Sequence, residues 1–290
     1  MSNNMPSQYA IAMFAYNEEK NISRSVKSVF ENTDERLSCF YVIANGCSDR
    51  TVEILKEIEN GQGGEKLEIV DLEIGDKCNA WNVYMHDIAN EVAVHFFVDA
   101  DVSFTKNAFP IMFETLLSKQ GAHAIAGLPC SGRNIEYYRS LVKDRACLFG
   151  NCYGVKYEFI KLLKDNNQRL PIGLNWIDSA ITKFVNTDIG VTNNNIPGRV
   201  VYNPNAGYRF ASLKPYVLND IKLYFNRIAR YKLGKLQERY LDQMSFSEWP
   251  RELAAINMQI KDDIDEGHSK VPFYLKHLVY CRLNKSLGKL

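Results

Sequence analysis

The sequence predicts an α/β fold in which helices cover both faces of a mostly parallel central sheet, followed by a helical carboxyl-terminal extension. Two observations predict it. Apolar strand-like segments alternate with amphipathic helical segments from residue 9 to residue 98, and each of these four strand-like segments ends in polar or turn-forming residues. Such alternation is typical of parallel strands joined by helical crossovers.

The first part of the chain contains four predicted strands and three predicted helices. The strands cover residues 9–14, 39–44, 67–70 and 94–98, and the helices cover 22–31, 51–59 and 77–89. Apolar residues recur at helical spacing in the first helix, as Ile22, Val26 and Val29 show. Turn-forming residues from Asn45 to Asp49 end the second strand, and a glycine-rich break at 61–64 ends the second helix.

The second part of the chain is less regular and more helical. We predict helices at 109–117, 137–148, 178–185 and 215–233, with strands at 122–128, 151–155 and 199–202. A break near Gly234 precedes two more helices, at about 248–260 and 273–287. These elements predict a main domain over residues 1–234, with halves at about 8–105 and 106–234, and a helical extension over 235–290.

Composition excludes several classes of protein. A formal net charge of +1 gives no overall attraction to nucleic acid, so we expect no nucleic-acid partner. The seven cysteines are odd in number and form no Cys-x-x-Cys pair, which argues against a zinc site or a disulfide framework. The polar amino terminus lacks a signal-peptide core and no apolar stretch could span a bilayer. These features predict a cytoplasmic protein.

The segment that carries the most chemical information is Asp99-Ala100-Asp101, which ends a strongly apolar predicted strand. Two carboxylates at a buried strand end are costly unless a cation or hydrogen-bond donors meet them. A divalent metal that carries phosphate oxygens would do so, because hard cations prefer oxygen ligands. The alternative is a strand exit at which Asp caps the next helix.

Three further polar clusters follow the other predicted strands, at residues 17–19, at 45–49 and at Asp71. In open α/β sheets, ligands bind in the crevice outside the carboxyl ends of the strands. The sequence therefore predicts that these clusters and the Asp99-Ala100-Asp101 segment face one crevice.

Together these segments resemble glycosyltransferase family 2, whose members have the GT-A fold. Four segments carry the resemblance: Phe14-Ala15-Tyr16-Asn17-Glu18-Glu19, Asn45-Gly46-Cys47-Ser48-Asp49-Arg50-Thr51, Gly75-Asp76-Lys77-Cys78-Asn79-Ala80-Trp81-Asn82 and Asp99-Ala100-Asp101. The chain departs from the family pattern at Asn45, where an acid is usual, and by one extra residue between Gly75 and Lys77. A looser match, Arg227 to Tyr231, resembles the Gln-x-x-Arg-Trp motif of processive members.

The resemblance implies roles for particular residues. The donor, a sugar on a nucleoside diphosphate, would be bound by Ala15, Asn17, Glu18, Asn45, Asp49, Lys77, Asp99, Ala100 and Arg230. Asp101 would ligate Mn²⁺ or Mg²⁺, with Asp99 reaching the ribose or a metal-bound water. Structural alternatives remain open, because Asp49 could cap a helix and Lys77 and Arg230 could be solvated helix residues.

An inverting transferase also needs a carboxylate that takes the proton of the acceptor. The order of the family's motifs implies that this base is Asp178, at the start of a predicted helix; helix capping is the alternative, and Asp188 is the second candidate. The segment 150–156, rich in small residues, would approach the donor sugar and acceptor, or form a tightly packed strand.

The expected function is a metal-dependent inverting glycosyltransferase that uses a nucleoside-diphosphate sugar, with UDP-sugars favoured, and acts on a glycan or lipid-linked acceptor of bacterial surface polysaccharide synthesis. A nucleotidyltransferase and a non-catalytic nucleotide-sugar-binding protein are the alternatives. Residues 267–290 contain five basic and no acidic residues, interleaved with aromatic and aliphatic ones. This basic helix would contact a membrane surface peripherally or pack on the main domain.

Overall fold

The computed structural model describes residues 7–61, 64–191, 194–214 and 216–287. Parts of the predicted break at 61–64, the first residue of the predicted helix 215–233 and the last three residues of the basic segment lie outside these ranges. The strands are β1 (Tyr9–Ala15), β2 (Leu37–Asn45), β3 (Leu67–Leu72), β4 (Val94–Asp99), β5 (Val102–Phe104), β6 (Ala124–Pro129), β7 (Cys152–Lys156) and β8 (Val200–Phe210).

These strands form one mixed sheet in the order β3-β2-β1-β4-β7-β6-β8-β5. The first four strands in this order are parallel to one another. Beyond them, β7 runs antiparallel to both β4 and β6, while β6 and β8 are parallel. The parallel part therefore brings the carboxyl ends of β1, β2, β3 and β4 to one edge, as the strand–helix alternation predicts.

Helices cover both faces of the sheet. They are α1 (Ile22–Phe30), α2 (Thr51–Glu59), α3 (Lys77–Val83), α4 (Ala108–Leu117), α5 (Ile135–Arg145), α6 (Tyr157–Asp165), α7 (Ile177–Thr187), α8 (Leu218–Leu241), α9 (Ala254–Asp265) and α10 (Phe273–Ser286). A π-helical turn, Tyr84–Ile88, extends α3. No helix of the described ranges is long and apolar enough to cross a membrane.

The predicted break near Gly234 is wrong, because α8 continues through this residue to Leu241. A Cβ at position 234 would stand 2.7 Å from the Cβ of Trp176. Glycine is therefore required here for close packing of α8 against the segment before α7, although it costs about 1 kcal/mol in a helix interior. The predicted domain boundary at 234 falls inside this helix.

Other boundaries also differ from those predicted. The helix predicted at 248–260 is α9, which begins six residues later, and the strand predicted at 199–202 is the longer β8. Helix α6 was not predicted, although Phe159, Ile160 and Leu163 lie buried on one face at helical spacing. The three-residue strand β5 is too short to leave a periodic pattern.

Helix α10 packs on the rest of the molecule. Leu275, Val279 and Leu283 are buried along one stripe, and the last two join the large apolar core that includes residues of β1, α3 and α7. The packed arrangement, one of the two interpretations of the basic segment, is therefore observed. The first turn of α10 does not pack in this way, because Phe273 and Tyr274 remain exposed.

A buried histidine in β4 makes the stability of the fold sensitive to acid. The Nε2 atom of His95 lies 3.0 Å from the Asn90 carbonyl oxygen and therefore donates to it, while Nδ1 accepts from the Tyr84 hydroxyl at 2.8 Å. Burial lowers the pKa of His95 from 6.5 to about 3, against a smaller opposing effect of the Asn90 hydrogen bond. The folded protein therefore holds this side chain neutral.

Because the folded-state pKa of His95 is depressed, the unfolded chain takes up the proton first as the pH falls below 6.5. We expect the contribution of His95 to the free energy of unfolding to fall by about 2 kcal/mol between pH 7 and pH 5. Urea unfolding at both pH values measures it, and His95→Gln should flatten this part of the slope. The control is His268→Gln, at an exposed position, which should leave the dependence of stability on pH as it is in the wild type. If His95→Gln also left this dependence unchanged, His95 would not be its source.

Candidate active site

The carboxyl ends of the parallel strands bring the predicted site residues to one edge of the sheet. Phe14 of β1 is in register with Asp99 of β4, and Ala15 is in register with Ala44 of β2, next to Asn45. Ala15 and Ala100 are buried, while Asp99 and Asp101 are partly exposed. The crevice that the polar clusters predict is therefore lined by the residues after β1, β2 and β4, whereas Asp71, the remaining predicted member, lies inside β3 and is exposed.

Three charged side chains converge on Gly150, which precedes β7. The ammonium group of Lys77 is paired with the carboxylate of Asp99. A Cβ at Gly150 would stand 3.0 Å from Oδ1 of Asp178, 3.1 Å from Nζ of Lys77 and 3.6 Å from Oδ1 of Asp99. Residues from the first half, the second half and the middle of the chain thus meet within a few ångströms. The lack of a side chain at Gly150 leaves the space between these charges open.

Two helix starts position these charges. Lys77 is the first residue of α3, and Asp76 caps that helix by accepting hydrogen bonds from the backbone of Cys78 at 2.8 Å and of Asn79 at 3.0 Å. Asp178 is the second residue of α7, where Trp176 occupies the N-cap position and makes no side-chain cap. Asp178 therefore does not occupy the N-cap of its helix, and the helix-capping alternative for this residue is wrong.

The charges in this cluster shift the pKa of Asp178 and the pKa of Lys77. Burial raises the pKa of Asp178, and the nearby Asp99 adds to the shift, while Lys77, a backbone hydrogen bond from Gly150 and Arg230 oppose it. Burial alone would lower the pKa of Lys77, but the Asp99 and Asp178 charges outweigh it and raise the value. The result is a charged lysine next to a carboxyl group that takes up a proton more readily than an ordinary Asp.

A second group of carboxylates surrounds Asp101. Burial raises the pKa of Asp101, the Asp99 charge raises it further, and Arg227 partly opposes the shift. Burial also raises the pKa of Glu18, with added repulsion from Asp101 and Asp99 that a hydrogen bond from Asn21 partly offsets. The excess of negative charge here would be relieved by a cation.

The donor set suits a metal that is shared with a ligand. In the described ranges, no three His, Cys, Asp or Glu side chains are grouped so that they could hold a metal by themselves. Mg²⁺ commonly binds through one or two carboxylates together with water and substrate phosphates. Asp101, with Asp99 beside it, fits a site of that kind and does not fit a metal site closed by protein ligands.

The loops after β1 and β2 are tied together by two predicted donor-binding residues. Oδ1 of Asn17 accepts from the Ser48 backbone at 2.8 Å, and Asn17 adopts a positive φ of 54°. Oδ1 of Asp49 accepts from the Thr51 backbone at 3.0 Å, and Oδ2 accepts from the Glu19 backbone at 3.1 Å. Asp49 thus holds the loop after β1 against the start of α2, although Arg50, and not Asp49, occupies the N-cap position of this helix.

Asn45 differs from its neighbours because part of its side chain has no partner. The residue is 5% exposed, and its Oδ1 atom is buried without a hydrogen bond among the described residues. A buried acceptor of this kind is destabilising unless a ligand or water supplies a donor. The Oδ1 atom of Asn45 is therefore an acceptor with unused hydrogen-bonding capacity.

Helix α8 supplies positive charge to the site. Arg230 is exposed, yet its charge lowers the pKa of both Lys77 and Asp178, which places it beside the cluster at Gly150. Arg227, one turn earlier, acts on Asp101 in the same way. Sequence reasoning considered Arg227 only as a substitution in a motif, although its spacing of three from Arg230 puts both on one helix face.

Asp188, the second candidate for the base, lies elsewhere. Its carboxylate pairs with Arg199 and lies 3.0 Å from Nε2 of His123. Sequence reasoning also missed Arg24, which donates to the backbone oxygen of Asp101 at 3.2 Å, and the Phe14 ring, which lies 5.8 Å from Nζ of Lys77. Neither contact leaves a local sequence signal, because both join residues from distant elements.

A mixed sheet flanked by helices is the architecture of the GT-A glycosyltransferases. The model of glycosyl transferase family 2 matches residues 10–184, more than half of the chain. The chain therefore belongs to this family and is a glycosyltransferase. No curated protein matches the sequence.

Solved structures show the same fold at low identity. A mannosyltransferase from Pyrobaculum calidifontis, PcManGT in complex with GDP-Man and Mn²⁺, has a TM-score of 0.61 and 14% identity, over 97% of this chain and 74% of that one. TarS from S. aureus in complex with UDP-GlcNAc has a TM-score of 0.54 and 14% identity, over 97% and 81%. The GT-A fold predicted from the motifs is thereby confirmed.

Proposed function

We propose that this protein is a metal-dependent inverting glycosyltransferase that moves a sugar from a nucleoside diphosphate, with uridine favoured, to a glycan or lipid-linked acceptor. The observation that carries the proposal is the convergence of Asp178, Lys77 and Asp99 around the open space at Gly150. A proton acceptor, a cation and a carboxylate at the edge of a nucleotide-binding sheet are the groups that such a transfer requires.

The donor would lie along the ends of β1, β2 and β4. Asn45 would accept from the base, and Glu18 and Asp99 would accept from the ribose. Ala15, Asn17, Asp49 and Ala100 would shape the pocket through backbone and loop contacts. The diphosphate would meet Lys77, Arg227 and Arg230, whose charges already act on this cluster. This placement follows the charge distribution, because the anionic part of the donor faces the basic groups.

Asp101, assisted by Asp99, would hold Mn²⁺ or Mg²⁺. When bound, the metal would neutralise the diphosphate and make it a better leaving group. The PcManGT structure contains Mn²⁺, which supports a divalent metal in this fold. The raised pKa of Asp101 is consistent with this role, since a bound cation would lower that pKa again.

Asp178 would act as the general base. The acceptor hydroxyl oxygen forms a bond to the anomeric carbon as the bond from that carbon to the diphosphate oxygen breaks, which inverts the configuration. The hydroxyl proton passes to the Asp178 carboxylate. A raised pKa helps this step, because a stronger base takes the proton more effectively.

Release of nucleoside diphosphate from a panel of donors tests the function. We expect UDP to be released from at least one UDP-sugar in the presence of Mn²⁺, and chelation of the metal to stop the release. Asn45→Ala should weaken binding of the uridine donor about tenfold, because a buried base N–H would lose its acceptor. Release of pyrophosphate from a nucleoside triphosphate and a sugar phosphate would instead identify a nucleotidyltransferase. Binding without any release would identify a non-catalytic protein.

A further inference from the structure

The start of α10 and the first half of α8 expose an unusual set of apolar side chains. Phe273 is 88% exposed, Leu218 is 83% exposed and Tyr274 is 57% exposed. Ring contacts link Phe273 to Tyr274 with centroids 6.1 Å apart, Tyr274 to Phe225 at 6.4 Å, and Phe225 to Tyr224 at 5.9 Å. We call these five residues the aromatic face. Large side chains exposed as one patch mark an interaction surface.

The patch continues along α8 by helical geometry. Leu218, Phe225 and Lys232 are spaced by seven residues, so they lie on one stripe of the helix, two turns apart. Lys232 then lines a cavity of about 630 Å³ at the turn between α9 and α10. The aromatic face and this cavity therefore adjoin each other.

The cavity is basic. Lys232, Lys270 and Lys276 line it together with apolar residues, and none of the three takes part in a salt bridge within the described ranges. Two acidic side chains near the turn are engaged elsewhere, since Glu266 lies 3.3 Å from His268 and Asp265 accepts from the Tyr280 hydroxyl. Neighbouring charges also matter, because burial and the positive charges of Arg239 and Lys235 lower the pKa of Lys232. An anion would relieve this repulsion.

We propose that the aromatic face and the three-lysine cavity dock the protein on an anionic phospholipid surface. Such a surface supplies what each part lacks: phosphate groups for the lysines, and an apolar layer beneath them for the aromatic rings. Tyrosine suits this depth, since its ring is apolar and its hydroxyl is polar. A protein partner would have to present an apolar patch and acidic groups in matching positions.

The site lies next to this surface along α8. Tyr224 of the aromatic face precedes Arg227 by three residues, so both lie on one side of the helix, and the Arg227 charge acts on Asp101. Docking would therefore hold the transferase site near lipid headgroups, where a lipid-linked acceptor is found. This last step rests on the proposed function, but docking itself needs neither donor, metal nor turnover. A failure of docking and a failure of catalysis would thus be seen separately.

Sedimentation of the full chain with vesicles tests the proposal. We expect binding to vesicles of phosphatidylglycerol and phosphatidylcholine in equal parts, and much weaker binding to phosphatidylcholine alone. Phe273→Ser combined with Tyr274→Ser should weaken binding at least about tenfold. Lys270→Gln combined with Lys276→Gln should weaken binding about tenfold or more on the anionic vesicles only, and should reduce its salt dependence.

Met258→Ser on α9 is the matched control, since Met258 is 50% exposed and lies outside the aromatic face. Thermal unfolding of each variant checks folding, which exposed side chains should hardly affect. Equal binding of the wild type to both kinds of vesicle, or full binding by the aromatic and lysine variants, would overturn the proposal. Self-association that the aromatic variants abolish, without vesicle binding, would assign the face to a second copy of this chain.

Discussion

Replacing Asp178 with Asn is expected to lower kcat by about 10²-fold to 10⁴-fold while the Kd of the donor changes only a few-fold. This range is what a positioned general base contributes. The variant keeps the size of the side chain and its place at the start of α7, and Lys77 retains Asp99 as its partner. Turnover is measured by release of nucleoside diphosphate with an acceptor, and donor binding by calorimetry.

The pH dependence of the same variant separates a base from a structural carboxylate. Burial raises the pKa of Asp178, so kcat of the wild type should rise with pH through a value above the ordinary range of Asp. Below that pH the base is protonated and the rate falls. Asp178→Asn should lose this limb of the profile. A variant that keeps near-normal turnover, or the same pH profile at reduced rate, would exclude Asp178 as the base.

Asp188→Asn provides the comparison. Asp188 was the other candidate from the sequence, but its carboxylate pairs with Arg199 and His123. The variant should lower the free energy of unfolding, because it leaves Arg199 with a weaker partner. Its kcat at temperatures where it remains folded should stay close to that of the wild type.

The strand ends could be predicted because their signal is local. A run such as Val94 to Val98 has the length and composition of a buried strand, and Asp99 and Asp101 end it abruptly. Parallel topology then brings such ends to one edge, so their grouping follows without any knowledge of contacts. Asp178 needed a family motif as well, since an acid at a helix start is common in any protein.

The remaining features depend on contacts between distant elements. Gly234 has the local signal of a helix end, but packing against Trp176 decides its conformation. Gly150 belongs to the segment 150–156 that is expected near the donor sugar, but the sequence does not show that Lys77, Asp99 and Asp178 meet there. The pairing of Lys77 with Asp99 joins α3 to β4 across the sheet edge. Sequence periodicity contains no information on such distances.

The sheet edge as a whole stores unfavourable charge in the absence of ligand. Glu18, Asp99 and Asp101 repel one another, and burial adds to the cost of each charge for Glu18 and Asp101. Asn45 adds a buried acceptor without a donor. Residues of a binding site often destabilise the folded protein without ligand, because the ligand supplies the partners of their charges and hydrogen bonds. Removing one of these carboxylates should therefore affect function and stability in opposite directions.

The variant Asp101→Ala tests this expectation most directly. The variant should lose the gain in donor affinity that Mn²⁺ provides and should lower transfer by at least about 10³-fold, because the metal contributes several kcal/mol of charge stabilisation. Calorimetry of UDP binding with and without Mn²⁺, together with nucleoside-diphosphate release, measures both effects. Unchanged turnover would exclude Asp101 as a metal ligand.

Two controls show whether a loss in Asp101→Ala comes from the metal site or from misfolding. The folded protein without ligand should be no less stable than the wild type, since the substitution removes a carboxylate whose pKa is raised by burial and by Asp99. Asp71→Ala removes an exposed carboxylate from the end of β3, two strands from β1 at the same sheet edge. It should keep the Mn²⁺ effect and the turnover. If Asp71→Ala also lowered the Mn²⁺ effect on donor binding and the turnover, the total negative charge of this sheet edge would explain both losses. Asp101 would then have no special role.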